Sequence, residues 1–357
     1  MRVLTVGGGL AGLTAATALH AHGHEVVVVE ARPFVGGRMM TVTPEGLGEA
    51  AWFDAGATWH WTDQPRMQAL ARELGIGVFP QYRDGRAMIE TEAVEIPPPD
   101  PQELRFVGGA QRVCERLAAR LPEGAVVLST TVMAVEYDGA AVTANVAGPD
   151  GRAYDIAADF AIVAVPPRLL VDEVAFTPDL TDELSEVLRG TPTWMATALK
   201  SVAVYESPFW REDGKSGLAL CRSGPLREVH DAGNDDGNVA GLWAFVAPSH
   251  EYRDLSFDDR LDVVFAHLGR LFGPAAADPL RYFERDWSGD PLTNDEVVWV
   301  REPLPYGNPA FARAQWDGRL AFAGTETATE GAGHMEGAVM SGHRAADLVL
   351  AGAERRA

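Results

Sequence analysis

RVLTVGGGLAGLTAATALHAHGHEVVVVE, residues 2–30, holds in one stretch the order strand, tight turn, helix, strand, acid. Arg2 to Val6 read as a short apolar strand and Leu10 to Ala21 have helical composition, while Glu25 to Val29 read as a second strand that ends in Glu30. Gly7, Gly9 and Gly12 give GxGxxG between the first strand and the helix. Each glycine has a task when the ADP part of a dinucleotide is bound: Gly7 makes the tight turn, Gly9 lets backbone approach the pyrophosphate, and Gly12 lets the helix pack closely. The helix N-terminus offers free N–H groups and a partial positive charge to the phosphates. Glu30 stands about twenty residues on, where a carboxylate accepts from ribose hydroxyls. A bare GxGxxG is a weak signal, but here every flanking piece falls in order, which predicts dinucleotide binding on an α/β fold.

The next segment, ARPFVGGRMMT, makes a second flexible turn at Gly36 and Gly37 and places Arg32 and Arg38 so that they can return toward the phosphates. Arginine suits that task because its planar fork binds phosphate oxygens in pairs. The alternative is an ordinary surface loop with ordinary arginines.

Composition bounds the rest. A chain of 357 residues with 46% hydrophobic residues is long and apolar enough for two interlocked domains with large cores. A formal net charge of −21 argues against nucleic acid or anionic membrane as partners, and it would concentrate cationic substrates, although a merely solvated acidic surface explains it as well. Cys114 and Cys221 have neither CxxC spacing nor a disulfide framework, which fits a reducing, cytoplasmic setting. No apolar run is long enough to span a membrane. The stretch from His230 to Asn238, HDAGNDDGN, reads as a solvated turn, and the C-terminal DLVLAGAERRA as a frayed helix end.

Several ordered motifs together resemble one family over most of the chain. They are GGGLAGLTAA from Gly7, GGR at Gly36, WFDAGATW from Trp52, RFVGGAQRVCERL from Arg105, AIVAVPP from Ala161, KSVAVYESPFW from Lys200, DWSGDP from Asp286 and FAGTETATEGAGHMEGAV from Phe322. This set resembles the flavin-containing amine oxidases, the monoamine oxidase family. The resemblance implies an α/β fold in which a Rossmann-like FAD-binding domain (1–80, 106–180 and 290–357) is interleaved with a smaller α+β substrate domain (81–105 and 181–289). It also implies that the backbone near Val132 contacts adenine, that Gly56, Ala57, Thr58 and Trp59 lie along the flavin, and that Trp287, Gly324 and Glu326 belong to the cofactor site.

Lys200 is the sharpest catalytic candidate. Alternation in KSVAVYE puts it on one strand face with Val202 and Val204, and a lysine on a buried face is costly without a role or a partner; the alternative is a strand-end lysine that reaches solvent. The family has a lysine here that holds a water beside flavin N5, which helps reoxidation by oxygen, and the resemblance implies that role for Lys200. In the final motif a helix is expected to start near Gly333; in the family this helix points its N-terminus at the flavin C2 carbonyl, so the resemblance implies that backbone donors near His334 and Met335, with the helix dipole, stabilise the charge that collects there. Glu326, Glu330 and His334 fall four apart, yet the intervening glycines argue against a continuous helix and no metal site is expected.

Three departures from the family stand out. The connection between Tyr82 and Arg105, which includes AVEIPPPDPQEL, is short where larger oxidases carry a helical part, so the site is expected to be more open or closed by a partner chain, a homodimer being the candidate assembly. Counting from Trp287, Glu296 takes the place of the cysteine that attaches FAD in mammalian monoamine oxidases, so FAD is expected to bind non-covalently. The family's pair of cage tyrosines is replaced by Val297, or Trp299 after a shift of two, and by His334. Trp59, His60, Trp61, Trp194, Phe209, Trp210 and Trp243 are candidates for a cavity wall, though aromatics at this density also make ordinary core. The function expected is an FAD-dependent oxidation of an amine C–N bond with molecular oxygen as acceptor and release of hydrogen peroxide. The alternatives are a dehydrogenase or desaturase of a bulky non-amine substrate, or a flavoprotein without turnover.

Overall fold

The computed structural model describes residues 1–48, 50–293 and 305–356. At its centre is a five-stranded, wholly parallel sheet in the order Val126–Val127, Glu25–Val29, Arg2–Val6, Phe160–Val163, Leu320–Phe322. These strands are valine-rich and buried on both faces, as parallel strands are when layers cover both sides. One face carries the helices Leu10–Ala21, Gln111–Ala118 and Met335–Glu354. The other packs on a four-stranded sheet that contains Thr131–Tyr137.

The first and last helices cross in close contact because Gly342 has no side chain: a Cβ there would lie 2.5 Å from the Ala11 carbonyl oxygen. That crossing ties the two ends of the chain together and sets both helix N-termini at the same edge of the sheet, where parallel α/β sheets bind ligands.

A second sheet has seven strands in the order Arg281–Asp286, Leu199–Tyr205, Ala240–Val246, Leu226–Asp231, Lys215–Leu220, Arg86–Ile89, Glu92–Val94. The helix Phe257–Phe272, capped by the Ser256 hydroxyl accepting from the Asp259 N–H, covers one face through Val264, Leu268, Leu271 and Phe272. Val202, Val204 and Trp243 lie on the opposite face, against Ala51 and Phe53. The alternation read from KSVAVYE therefore places Lys200 on the face that packs against Ala51 and Phe53.

Three readings change. The proline-rich connection is not all loop, since Glu92–Val94 forms a hairpin with Arg86–Ile89 and extends the seven-stranded sheet. His230 and Asp231 end a strand and are buried, and Asp231 is held by the Arg211 guanidinium and the Trp210 indole, so in HDAGNDDGN the solvated turn is confined to the exposed residues 235–238 and the polar residues before it conceal an ion pair. The last helix does not fray at its apolar end: it continues to Glu354 with Val349 and Gly352 buried. Among the described residues no helix is long and apolar enough to cross a membrane.

Candidate active site

The dinucleotide turn is built as the glycine spacing requires. Gly7 has φ +104°, in the region L side chains avoid, and a Cβ on Gly12 would sit 2.1 Å from the Gly7 carbonyl oxygen. Gly9 caps the first helix with no side-chain hydrogen bond, so the first-turn N–H groups are not spent on a capping side chain. Glu30, at the end of its strand, accepts from the Gly8 N–H at 2.7 Å and the Arg32 N–H at 2.8 Å. Burial pushes its carboxyl upward, against the pull of those two hydrogen bonds. Thr130 donates its N–H to the Glu30 carbonyl and Ser129 donates to that of Arg32, which brings the strand holding Val132 alongside the acid.

The two arginines are used differently from a simple phosphate clamp. Arg32 closes its fork on Asp290 at 2.9 and 3.0 Å and reaches Thr293, while Arg38 forms a bidentate pair with the fully buried Glu326 and donates to the Trp194 carbonyl. Their carboxylate partners lie more than 250 positions away, beyond any local reading. Gly37, at φ +57°, turns the chain beside Gly9.

The Gly56–Trp59 segment is pinned from three sides. Ala57 donates to the Arg38 carbonyl at 3.0 Å, and Gly56 is obligatory because a Cβ would lie 1.9 Å from that oxygen. The Trp287 indole donates to the Ala55 carbonyl at 3.0 Å, and the Trp59 indole to Gln81 Oε1 at 2.8 Å. From the facing sheet, Lys200 donates to the Gly56 carbonyl at 3.0 Å and to the Thr58 hydroxyl. Lys200 is 3% exposed, and burial pushes its ammonium down to about 7; Asp54 counteracts this and Arg105 adds to it.

At the other end, the Gly324 N–H is fixed by the Ser341 hydroxyl, and the Thr325 hydroxyl donates to the His334 carbonyl at 2.7 Å. This sets the start of the helix Met335–Glu354, whose N-cap His334 makes no side-chain cap. The resulting uncapped N-terminus suits an electron-rich carbonyl. Among the described residues no group of three or more His, Cys, Asp and Glu side chains could hold a metal ion.

Aromatic rings surround Lys200 and continue toward the last helix. The Trp243 ring lies 4.1 Å from Lys200 Nζ, His230 stacks on Trp243 at 4.4 Å, and Trp59 meets both. Beyond Trp59 come Trp61, then His334 edge-on at 5.2 Å, then Trp194. Trp194 lies against Gly333, and its N–H is held by Glu326. Sequence reasoning missed His230 and Glu228. His230 donates from Nε2 to Glu228 at 2.7 Å, and burial pushes the ring down to about 4, so it is neutral near pH 7; its hydrogen bond lowers the Glu228 carboxyl in turn. Aromatic and charged residues two apart on a strand, His230 and Glu228, were the available signal. Phe209 and Trp210 belong to the core on the other face of that sheet. His60 also turns away, stacking on Phe106 with neither ring nitrogen bonded, and it is neutral because burial pushes it down to about 4.

The glycine turn, two helix N-termini without side-chain caps, the acid at Glu30 and the buried, unpartnered Trp243 Nε1 together fit a flavin dinucleotide. The model of the flavin-containing amine oxidoreductase family matches residues 10–97 and 99–350. The chain belongs to that family. It is 23% identical to a probable flavin-containing monoamine oxidase A of Dictyostelium discoideum, over 96% of each chain. It is 25% identical to the putrescine oxidase of Kocuria rosea, over 99% of this chain and 97% of that one. Among solved structures, a putrescine oxidase bound to putrescine superposes with TM-score 0.84 at 25% identity, covering 98% of this chain and 99% of that one. Cyclohexylamine oxidase from Brevibacterium oxydans superposes with TM-score 0.85 at 20% identity, covering 100% of this chain and 99% of that one, which shows the shared fold.

This flavin amine oxidoreductase is an FAD-dependent enzyme. The alignment to the Kocuria rosea protein runs over 469 positions against 357 residues here, so that relative carries segments this family member lacks. FAD is held non-covalently. The chain's two cysteines agree with this, since Cys114 sits in the helix-side core against Met39 and Cys221 in the core under Phe257–Phe272. Glu296, Val297 and Trp299 lie outside the described residues.

Proposed function

We propose that this enzyme oxidises the C–N bond of an amine to an imine, which water hydrolyses, and passes the electrons to molecular oxygen with release of hydrogen peroxide. The observation that carries this reading is Lys200, a buried lysine that reaches from the seven-stranded sheet to the Gly56–Trp59 segment between the strands Phe53–Asp54 and His60–Trp61. Bound FAD would supply the redox chemistry. The protein's groups position and exclude: Gly7, Gly9, Gly12 and Glu30 would hold the ADP part, Gly56 to Trp59 and Trp287 would support the ring system, and the N-terminus at His334 and Met335 would face its polar edge. Val132 would lie at the adenine, with Arg32, Gly37, Arg38, Gly324 and Glu326 supporting the two loops between. We retain the division into a dinucleotide domain (1–80, 106–180 and 290–357) and a substrate domain (81–105 and 181–289).

Within amines, Glu228 favours a substrate with a second cationic group. Lys200 and Glu228 are both in register with Phe245, on strands to either side of it, so they stand two interstrand steps apart, about 10 Å, on one face of the sheet. Glu228 keeps one carboxylate oxygen beyond its bond to His230, and its side chain is 40% exposed. The test is anaerobic flavin bleaching against monoamines, diamines and amino acids, followed by oxygen consumption. Bleaching by amines with peroxide on readmission of oxygen is expected. Bleaching that only a non-amine produces would overturn the reading.

A further inference from the structure

Lys200 is one of two lysines in the chain, the other being Lys215. Its ammonium is buried with three donors, and both of its hydrogen-bond acceptors, the Gly56 carbonyl and the Thr58 hydroxyl, are neutral. Among the described residues no carboxylate lies within ion-pair distance of it. An ammonium out of water without a counter-ion is costly. What lies on it instead is the face of Trp243, 4.1 Å from Nζ to the ring centroid.

That indole is fixed. Trp243 is in register with Val202, so it is the diagonal neighbour of Lys200 across the strand pair, within reach of a large ring. It is 2% exposed, His230 stacks on it with 22° between the rings, and Trp59 tilts against it at 4.9 Å. A desolvated cation over an indole face is among the stronger forms of this contact, and tryptophan is the best of the three aromatic partners. The other charged groups around Lys200 come from four strands. Asp54, from Phe53–Asp54, favours the charge; Arg105, from Glu103–Phe106, opposes it; Glu228, from Leu226–Asp231, lies behind the neutral His230 ring; and Arg285, from Arg281–Asp286, is turned to Asp290 and Trp287.

We propose that Trp243 is the positioning residue of Lys200, its indole face holding the ammonium in its charged form and directed at the Gly56–Trp59 segment, with His230 and Trp59 fixing the indole in place. The consequence for catalysis rests on the proposed role of Lys200 in the oxygen half-reaction, whereas the contact itself does not.

With two lysines, protein grown on lysine labelled with 13C at Cε gives two titrating signals, and K200M assigns them. The measurement is the titration midpoint of the Lys200 signal in flavin-free and FAD-loaded protein, with Lys215 as the internal control. In W243L the midpoint is expected to fall by about one pH unit or more, a tenfold change in the ammonium-to-amine ratio. In W243F, which keeps an aromatic face, it is expected to fall less, and this variant decides the matter if W243L does not fold. A midpoint that stays in place or rises would overturn the proposal, because a merely structural tryptophan has no reason to lower it. Reoxidation of K200M by oxygen at the parental rate would remove the catalytic role of Lys200 and leave the answer on Trp243 standing.

Discussion

Replacing Lys200 with Met should change how the flavin-free protein's stability depends on pH, and the size follows from burial. The ammonium titrates at about 7 in the fold against an ordinary value of 10.5. Between those values the unfolded chain holds a proton that the native one has lost, so this group makes native stability rise with pH across that window and depresses it below the window. The slope is up to about 1.4 kcal/mol per pH unit, which accumulates to the order of 4 kcal/mol between pH 7 and 10. Methionine keeps the stem volume and removes the titration. It also leaves the Gly56 carbonyl and Thr58 hydroxyl without their donor, a loss of about 1 to 3 kcal/mol that does not vary with pH. Guanidinium unfolding of parent and K200M at pH 7, 8, 9 and 10 gives the comparison directly. The variant should be as stable as the parent or more so at pH 7, and fall progressively behind toward pH 10. A variant-minus-parent difference that is flat over this range would refute the claim that the lysine is desolvated, and with it the buried-cation argument for the site.

Lys200→Met should also slow reoxidation of the reduced enzyme by oxygen by at least about tenfold, or 1.4 kcal/mol of barrier, while reduction by substrate changes little; double-mixing stopped-flow absorbance separates the two. Glu30→Ala should weaken FAD binding by about 1 to 3 kcal/mol, read by titrating apoprotein with FAD, since a buried acceptor that also ties Gly8 to Arg32 is lost. Glu228→Gln should raise KM for a diamine about tenfold or more and leave a monoamine of equal length nearly unchanged; equal effects on both would remove Glu228 from substrate selection. Acid precipitation should release all the yellow cofactor into the supernatant, and flavin left on the denatured chain would contradict non-covalent binding.

What the sequence determined by itself is whatever depends on neighbours along the chain. The strand, turn and helix of residues 2–21 follow from valine, glycine and alanine placed where local backbone geometry requires them, and the face that Lys200 shares with Val202 and Val204 follows from the two-residue period of its strand. The start of the last helix at Met335 was legible for the same reason, since glycines end one conformation and apolar periodicity begins another. Only the tertiary structure decided which distant groups meet. Arg32 and Arg38 could be read as phosphate ligands because nothing local announces Asp290 or Glu326, each more than 250 residues away. Tryptophans 59, 61, 194 and 243 became one run of rings, while Trp210 became core and His60 turned to Phe106, through the register and facing of strands that no window along the chain contains. Composition misjudged His230 and Asp231 because a polar run is solvated only when its partners are water, and here they are Trp243, Glu228 and Arg211. Charge and aromaticity are properties of residues, but the burial that gives Lys200 its altered protonation, and the indole set over it, arise only when strands far apart in the chain are laid side by side.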